Sequence, residues 1–156
     1  MYLGLDLGTS GLRGLLVRQD GTVVGSAEAT YEVQHPHVGW SEQNPADWTK
    51  ACGAVVQALR ETHSSALTAL KGIGVSGHMH GATLLNETGH VLRPCMLWND
   101  TRAHNQATRL DGLDGFRKTS GNIFFQDLPP QRSFGWQNTS RKSLRKLPRF
   151  CFPKII

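Results

Sequence analysis

Three short apolar runs in the first thirty residues, joined by two glycine-bearing connections, constrain this chain more than any other feature. Residues 2–7 (YLGLDL), 12–18 (LRGLLVR) and 22–29 (TVVGSAEA) are separated by Gly8-Thr9-Ser10-Gly11 and by Gln19-Asp20-Gly21. Runs this short, joined this tightly, are hairpin signals, so the sequence predicts three antiparallel strands, with Asp20-Gly21 in a turn of the primed type. Residues 31–45 hold His35, Pro36, His37, Gly39 and Pro45 with no period, and read as a loop. From Pro45 the apolar residues Trp48, Ala51, Cys52, Val55, Val56 and Leu59 recur at helical spacing. Asn44 is a good N-cap with proline at the first helical position, which predicts a helix over about 45–63.

LKGIGVSG at 70–77 reads as a further strand, and Ala82–Leu85 as extended chain that turns at Glu87-Thr88-Gly89 and returns through Val91-Leu92. Asn99-Asp100 is a plausible cap for a second helix over roughly 101–112. Three strands, a helix, then more β argue for an α/β layer fold in which part of the sheet is parallel.

Charge divides the chain. The formal net charge of the 156 residues is +5, yet residues 1–125 carry ten Lys/Arg against eleven Asp/Glu, whereas residues 126–156 carry seven Lys/Arg and only Asp127. All the excess basicity therefore lies in a tail that shows neither a strand nor a helix period, and 126–156 reads as irregular and disordered. Cys52, Cys95 and Cys151 are odd in number and far apart, which excludes a disulfide framework or a Cys/His zinc site and fits a reducing cytoplasm. No stretch approaches the ~18 apolar residues of a membrane span, and the N-terminus does not read as a secretory signal, so a soluble cytoplasmic protein is expected.

Three segments carry chemistry. In Asp6-Leu7-Gly8-Thr9-Ser10-Gly11, with Arg13 two residues on, a carboxylate ends the first strand before a glycine-flanked hydroxyl turn. Such a turn can offer backbone N–H groups and two hydroxyls to phosphate oxygens, while Asp6 reaches a metal ion through water. It lacks the lysine of a Walker loop and the G-x-G-x-x-G of a dinucleotide turn, and the alternative is an ordinary hairpin connection capped by Asp6. In Gly77-His78-Met79-His80-Gly81, the two histidines lie on one side of an extended segment without a third metal ligand, so Met79 and His80 either line a polar pocket or are solvated. In Trp98-Asn99-Asp100-Thr101-Arg102, an aromatic beside hydrogen-bonding groups suits a polyol, and a helix cap beside a core tryptophan suits the same residues. Trp40-Ser41-Glu42-Gln43 repeats that polar and aromatic mixture on a loop, where a structural role with Glu42 pairing locally is expected.

Taken in order, MYLGLDLGTSGLR at 1–13, WSEQNP at 40–45, GHMHGA at 77–82, LRPCMLWNDTR at 92–102 and TSGN at 119–122 resemble the opening of the FGGY carbohydrate kinases, most closely its xylulose-phosphorylating members. The resemblance covers roughly residues 1–125 and implies a ribonuclease-H-like domain of the actin-like ATPase superfamily, incomplete here: a mixed sheet with flanking helices. It implies ATP and Mg2+ as cofactors, with Asp6 organising metal and phosphoryl group, and Gly8, Thr9, Ser10, Gly11 and Arg13 near the ATP phosphates. Met79 and His80 would contact a ketopentose, D-xylulose, and Trp98, Asn99, Asp100 and Arg102 would line its pocket. His78 departs from the glutamine usual there. Members of the family are about three times longer, and their general base and most of the nucleotide pocket belong to a second half, so this chain alone is expected to be inactive and to self-associate through an exposed interdomain face.

The resemblance breaks near Phe125. Read one nucleotide earlier, the codons of Phe125 through Trp136 can encode Pro-Gly-Phe-Thr-Ala-Pro, then Lys or Thr, an aliphatic residue, Leu and Trp, and those of Phe150 through Ile156 can encode Leu-Leu-Pro-Lys-Asp-Tyr. Both segments are typical of the family, and their separation is right. The tail from about residue 125 is therefore expected to be an out-of-frame reading. That removes the need for a nucleic-acid or membrane partner. The alternatives are a short binding module whose basic tail holds RNA or an acidic surface, and an actin-like ATPase fragment without sugar specificity. Sequencing the coding DNA across the Asn122 to Gln131 codons and several hundred bases beyond should reveal a kinase-like continuation one nucleotide over; no such frame would end this reading.

Overall fold

A computed structural model of the protein describes residues 1–113, 115, 118 and 149–151. In chain order the elements are β1 (Tyr2–Leu7), β2 (Gly11–Val17), β3 (Val23–Thr30), β4 (Glu42–Gln43), α1 (Pro45–Thr68), β5 (Gly72–Gly77), β6 (Thr83–Leu85), β7 (Cys95–Met96), α2 (His104–Asp111) and β8 (Arg149–Cys151). They fall into two compact units, one built from Met1–Val33 with Asn44–His78, the other from Gln34–Gln43 with the described residues from Met79 onward.

The first unit is a four-stranded sheet in the order β3-β2-β1-β5. β1, β2 and β3 are antiparallel neighbours, as the glycine connections require, and β5 lies parallel to β1 with Leu3 opposite Ile73 and Leu5 opposite Val75. The crossover that makes β5 parallel is α1. Period-two alternation on β1 and β2 buries Leu3, Leu5, Leu12 and Leu16, and Ala51, Val55 and Leu59, at four-residue steps on α1, close over them. Gly14 permits this approach, because a Cβ there would stand 2.5 Å from the Val55 Cγ1 methyl.

Asn44 caps α1 by accepting from the Ala46 amide at 3.0 Å, with Pro45 at the first turn. The helix runs on to Thr68, past the expected end near 63. His63 (φ −138°, ψ 40°) marks the reason: the helix kinks there and resumes, which breaks the apolar period while Ala66 and Leu67 return to the core. The β2–β3 connection also differs from expectation. Only Gly21 takes a positive φ (85°), Arg18 N–H donates to Thr22 O at 2.9 Å and Gly21 N–H to Arg18 O at 3.1 Å, so the turn is a three-residue loop with a left-handed glycine, not a primed two-residue turn. Because α1 covers β2 and β3, Ile73 and Val75 on the outer strand remain 62% and 57% exposed.

The second unit joins β4 to β7 in antiparallel register, Glu42 opposite Met96 and Gln43 opposite Cys95, so the segment expected to be loop over 31–45 contains a short strand. Ala82 bridges Met96, and Ala82, Leu84 and Met96 form a small core. The expected return of the chain after Gly89 (φ 84°) is present: Asn86 N–H donates to His90 O and Leu92 N–H to Leu84 O, both at 2.9 Å. The second helix is the eight-residue α2, which begins at His104 with Ala103 at its N-cap; Asn99-Asp100 does not cap it as expected, because that pair lies in the turn closed by Asp100 N–H to Leu97 O. The tail was expected to be irregular throughout, yet Arg149–Cys151 pairs antiparallel with β6, Leu84 opposite Phe150, because the short β6 offers unpaired backbone groups to any extended segment. The TSGN segment at 119–122 and the rest of 126–156 lie outside the described residues. Among those described, no helix is long and apolar enough to cross a membrane.

Leu59 is fully buried under the sheet, so Leu59→Ala should cost about 2–5 kcal/mol of unfolding free energy by urea denaturation, through lost transfer energy and the cavity left behind.

Candidate functional site

At the carboxyl end of β1 the chain turns through Gly8-Thr9-Ser10 into β2, and this turn is held from several directions. Gly8 N–H donates to Gly11 O at 2.9 Å, which leaves the outer part of the loop to the half-buried Thr9 and the exposed Ser10. The Tyr31 hydroxyl, just beyond β3, donates to Gly8 O at 2.6 Å. The carbonyl before it, Leu7 O, accepts from His78 N–H at 2.8 Å and stands 3.3 Å from His78 Nδ1, which donates in the Nδ1–H tautomer. Trp48 of α1 meets the His78 ring edge-on at 5.2 Å between centroids. Two successive carbonyls are thus fixed by residues that follow two different strands.

Beside this turn lies an open cleft of about 230 Å³ lined by Asp6, Gly8, Ser10, Gly11, Arg13 and Glu28, among others. The Asp6 carboxylate is exposed there. Arg13, by contrast, is engaged across the strands: its Nη2 and Nε donate to Glu28 Oε2 at 2.8 and 3.2 Å, Glu28 being its register partner on β3. Tyr31 holds its proton up to about pH 12, because burial disfavours the phenolate and the Asp6 charge opposes it. Among the described residues no cluster of three or more His, Cys, Asp or Glu forms a metal cage. One exposed carboxylate suits Mg2+, which keeps several waters and takes one or two carboxylates plus substrate phosphates.

The other expected residues belong to the second unit. Met79 is exposed, and His80 adopts φ 65°, a left-handed conformation uncommon for a residue with a Cβ and of the kind found at ligand sites. That segment leads into Ala82, which bridges Met96, two residues before Trp98. Leu97-Trp98-Asn99-Asp100 is a tight turn closed by Asp100 N–H to Leu97 O at 3.1 Å, with Trp98 and Asn99 exposed at its tip and Leu97 and Asp100 buried at its corners. Asp100, 2% exposed, accepts Ser41 N–H at 2.7 Å and is gripped by Arg102 through Nε and Nη2 at 2.8 and 2.6 Å. Glu42 Oε1 accepts from Arg93 Nη2 at 2.6 Å and stands 2.7 Å from Arg102 Nη1, an ion pair without hydrogen-bond geometry, and the Trp40 ring lies 3.6 Å from the Arg102 guanidinium. Burial draws the Arg93 guanidinium below its ordinary value, with Glu42 opposing.

Sequence reasoning brought out Asp6, the turn and the Trp98 segment, but did not identify Tyr31 or Arg93. Glu42 was expected to pair locally; it pairs instead with arginines 51 and 60 residues away, both within its own unit. Only a lone tyrosine after the third strand and an arginine before Pro94 hinted at the missing partners.

The chain matches the model of the FGGY family of carbohydrate kinases, N-terminal domain, over residues 1–136. It is 36% identical over 155 residues to the xylulose kinase of Escherichia coli (strain K12), covering 99% of this chain and 32% of that protein. Its structure superposes on a xyloylose kinase from Brucella ovis with a TM-score of 0.93 at 44% identity, covering 98% of this chain and 32% of the other. On the xylulose kinase from Rhodospirillum rubrum the TM-score is 0.89 at 29% identity, over 96% of this chain and 31% of that one. The chain belongs to the FGGY family of carbohydrate kinases and carries, in part, that family's actin-like ATPase fold. It spans about a third of the length of the relatives it matches.

Since Tyr31 keeps its proton in the folded state beyond the pH at which an unfolded tyrosine ionises, its contribution to stability should be level below pH 10 and fall between pH 10 and 12. Tyr31→Phe should abolish that fall while losing about 0.5–1.5 kcal/mol at neutral pH with the Gly8 hydrogen bond, as urea titrations across the pH range would measure.

Proposed function

We propose that this chain is the sugar-contacting, phosphate-loop portion of an ATP-dependent kinase that converts D-xylulose to D-xylulose 5-phosphate. The observation that carries the reading is the end of β1, where the exposed Asp6 stands beside a glycine turn whose carbonyls are pinned by Tyr31 and His78. Phosphoryl transfer depends mainly on positioning and charge stabilisation, and a turn fixed before ligand arrives supplies the first of these. Bound Mg2+ would neutralise charge on the phosphates, and Asp6 is the residue that would hold it through water. Thr9 and Ser10 would offer backbone N–H groups and hydroxyls to the same phosphates. Arg13 is held by Glu28 on the cleft wall, so its charge is balanced there and it would reach the phosphates only by leaving that exposed pair.

On the sugar side, Met79 and His80 and the exposed Trp98-Asn99 tip present an apolar surface and hydrogen-bonding groups, the combination a polyol needs. That several of the relatives the chain matches are xylulose kinases supports xylulose as the sugar. The general base and much of the nucleotide pocket belong to the part of the family's length that this chain does not span. Incubated with Mg2+-ATP and D-xylulose, the chain should release no ADP above background, yet D-xylulose should bind saturably by calorimetry. Turnover, absence of any sugar binding, or salt-sensitive binding of RNA in its place would each overturn the reading.

A further inference from the structure

Asp100 and Arg102 sit in the motif that suggests a sugar pocket, but the structure commits their charges elsewhere. Arg93, Glu42, Arg102 and Asp100 form an alternating chain of two cations and two anions, with links of 2.6, 2.7 and 2.6 Å and no net charge. The side chains of Glu42, Arg102 and Asp100 are 7%, 3% and 2% exposed. Burying charge is tolerable only when each ion is paired and hydrogen-bonded, so the loss of one member disturbs the others. The end of this chain is the turn. Asp100 is its rear corner, and Ser41, the neighbour of Glu42, accepts from Leu97 N–H at 2.9 Å at the front corner and donates to Asp100 at the rear.

We infer that Glu42 and Arg93 are positioning residues for the sugar-facing tip Trp98-Asn99, acting through Arg102 and Asp100, and that Asp100 and Arg102 hold the turn and leave sugar contact to the exposed pair. The inference rests on the sugar-binding reading above. The charge pattern decides what each substitution does. Removing Glu42 leaves Arg93 and Arg102 facing each other, with Asp100 on the far side of Arg102 as the remaining carboxylate of the network. Removing Arg93 leaves Arg102 divided between two carboxylates. Removing both restores a neutral Arg102–Asp100 pair beneath the turn. Arg93 reaches this network through Glu42.

The experiment compares the full chain with Glu42→Gln, Arg93→Met and the double variant, reading D-xylulose affinity by calorimetry and the Trp98 indole N–H and Asp100 amide exchange by NMR. The amides of β1, β2 and β3 report whether each variant is folded. Each single substitution should weaken D-xylulose about tenfold, shift or broaden the Trp98 indole signal and speed Asp100 exchange. The double variant should return to within about threefold of the parent affinity and restore the indole signal, a recovery that simple accumulated destabilisation would not produce. Single variants that are folded, bind with parent affinity and leave the Trp98 signal unmoved would overturn the inference, as would a double variant no better than the singles. Failure of the unsubstituted chain to bind D-xylulose would strike the proposed function alone, because the indole and exchange measurements still decide whether the charge chain holds the turn.

Discussion

The approach of α1 to β2 at Gly14 is the constraint on which the first unit depends. With no Cβ in the way, Val55 and Leu59 descend between Leu3, Leu5, Leu12 and Leu16, and one helix face seals the inner side of an antiparallel meander. Burial of this kind contributes roughly 1.5–3 kcal/mol for each large aliphatic side chain, enough for a handful of them to set the stability of a small unit. The same packing aims the chain. Once α1 has crossed the sheet, the strand after it returns parallel to β1, and the ends of β1 and β5 come to lie side by side with Leu7 opposite Gly77. That coincidence lets His78 reach the carbonyl before the glycine turn.

The two candidate sites are made rigid by different means. At the end of β1 the agents are neutral hydrogen bonds onto carbonyls, from Tyr31 and His78, which leave the Asp6 carboxylate exposed. In the second unit the agent is buried charge, four ions arranged so that each has an opposite neighbour. A buried network of this sort is no strong source of stability, since desolvation offsets most of the attraction, but it tolerates few geometries and so defines the turn it supports. In each case the groups offered outward, Ser10 at one and Trp98-Asn99 at the other, sit on a short connection whose flanks are tied down.

Much of this was legible in advance because it depends on neighbours in sequence. The strands of the meander, the Asn44-Pro45 start of α1 and the Gly89 turn each follow from residues within a few positions of one another, and all are present. Misjudged features have local causes too: the three-residue loop at Gln19-Asp20-Gly21 satisfies the same glycine signal as a primed turn, and the kink at His63 interrupts the period on which the helix end was judged. Membership of the carbohydrate kinases was legible through the order of several motifs, none of which is specific alone. Arg93, Tyr31 and β8 gave little sign of their roles, since their partners lie 51 residues or so away, 23 residues away and across the chain on β6.

From the amino acids alone came the class of fold, the glycine turn at the end of β1 with its carboxylate, and the polar aromatic segment at Trp98. These are matters of residue type and spacing, and a chain expresses them whatever surrounds it. Only the tertiary structure decided which charges are spent and which are offered. Asp6 and Asp100 read alike in sequence, as a carboxylate beside a short motif. One stands in an open cleft, while the other is sealed against Arg102 and Ser41. The difference is burial and pairing, which depend on segments distant in sequence and exist only once the chain has folded.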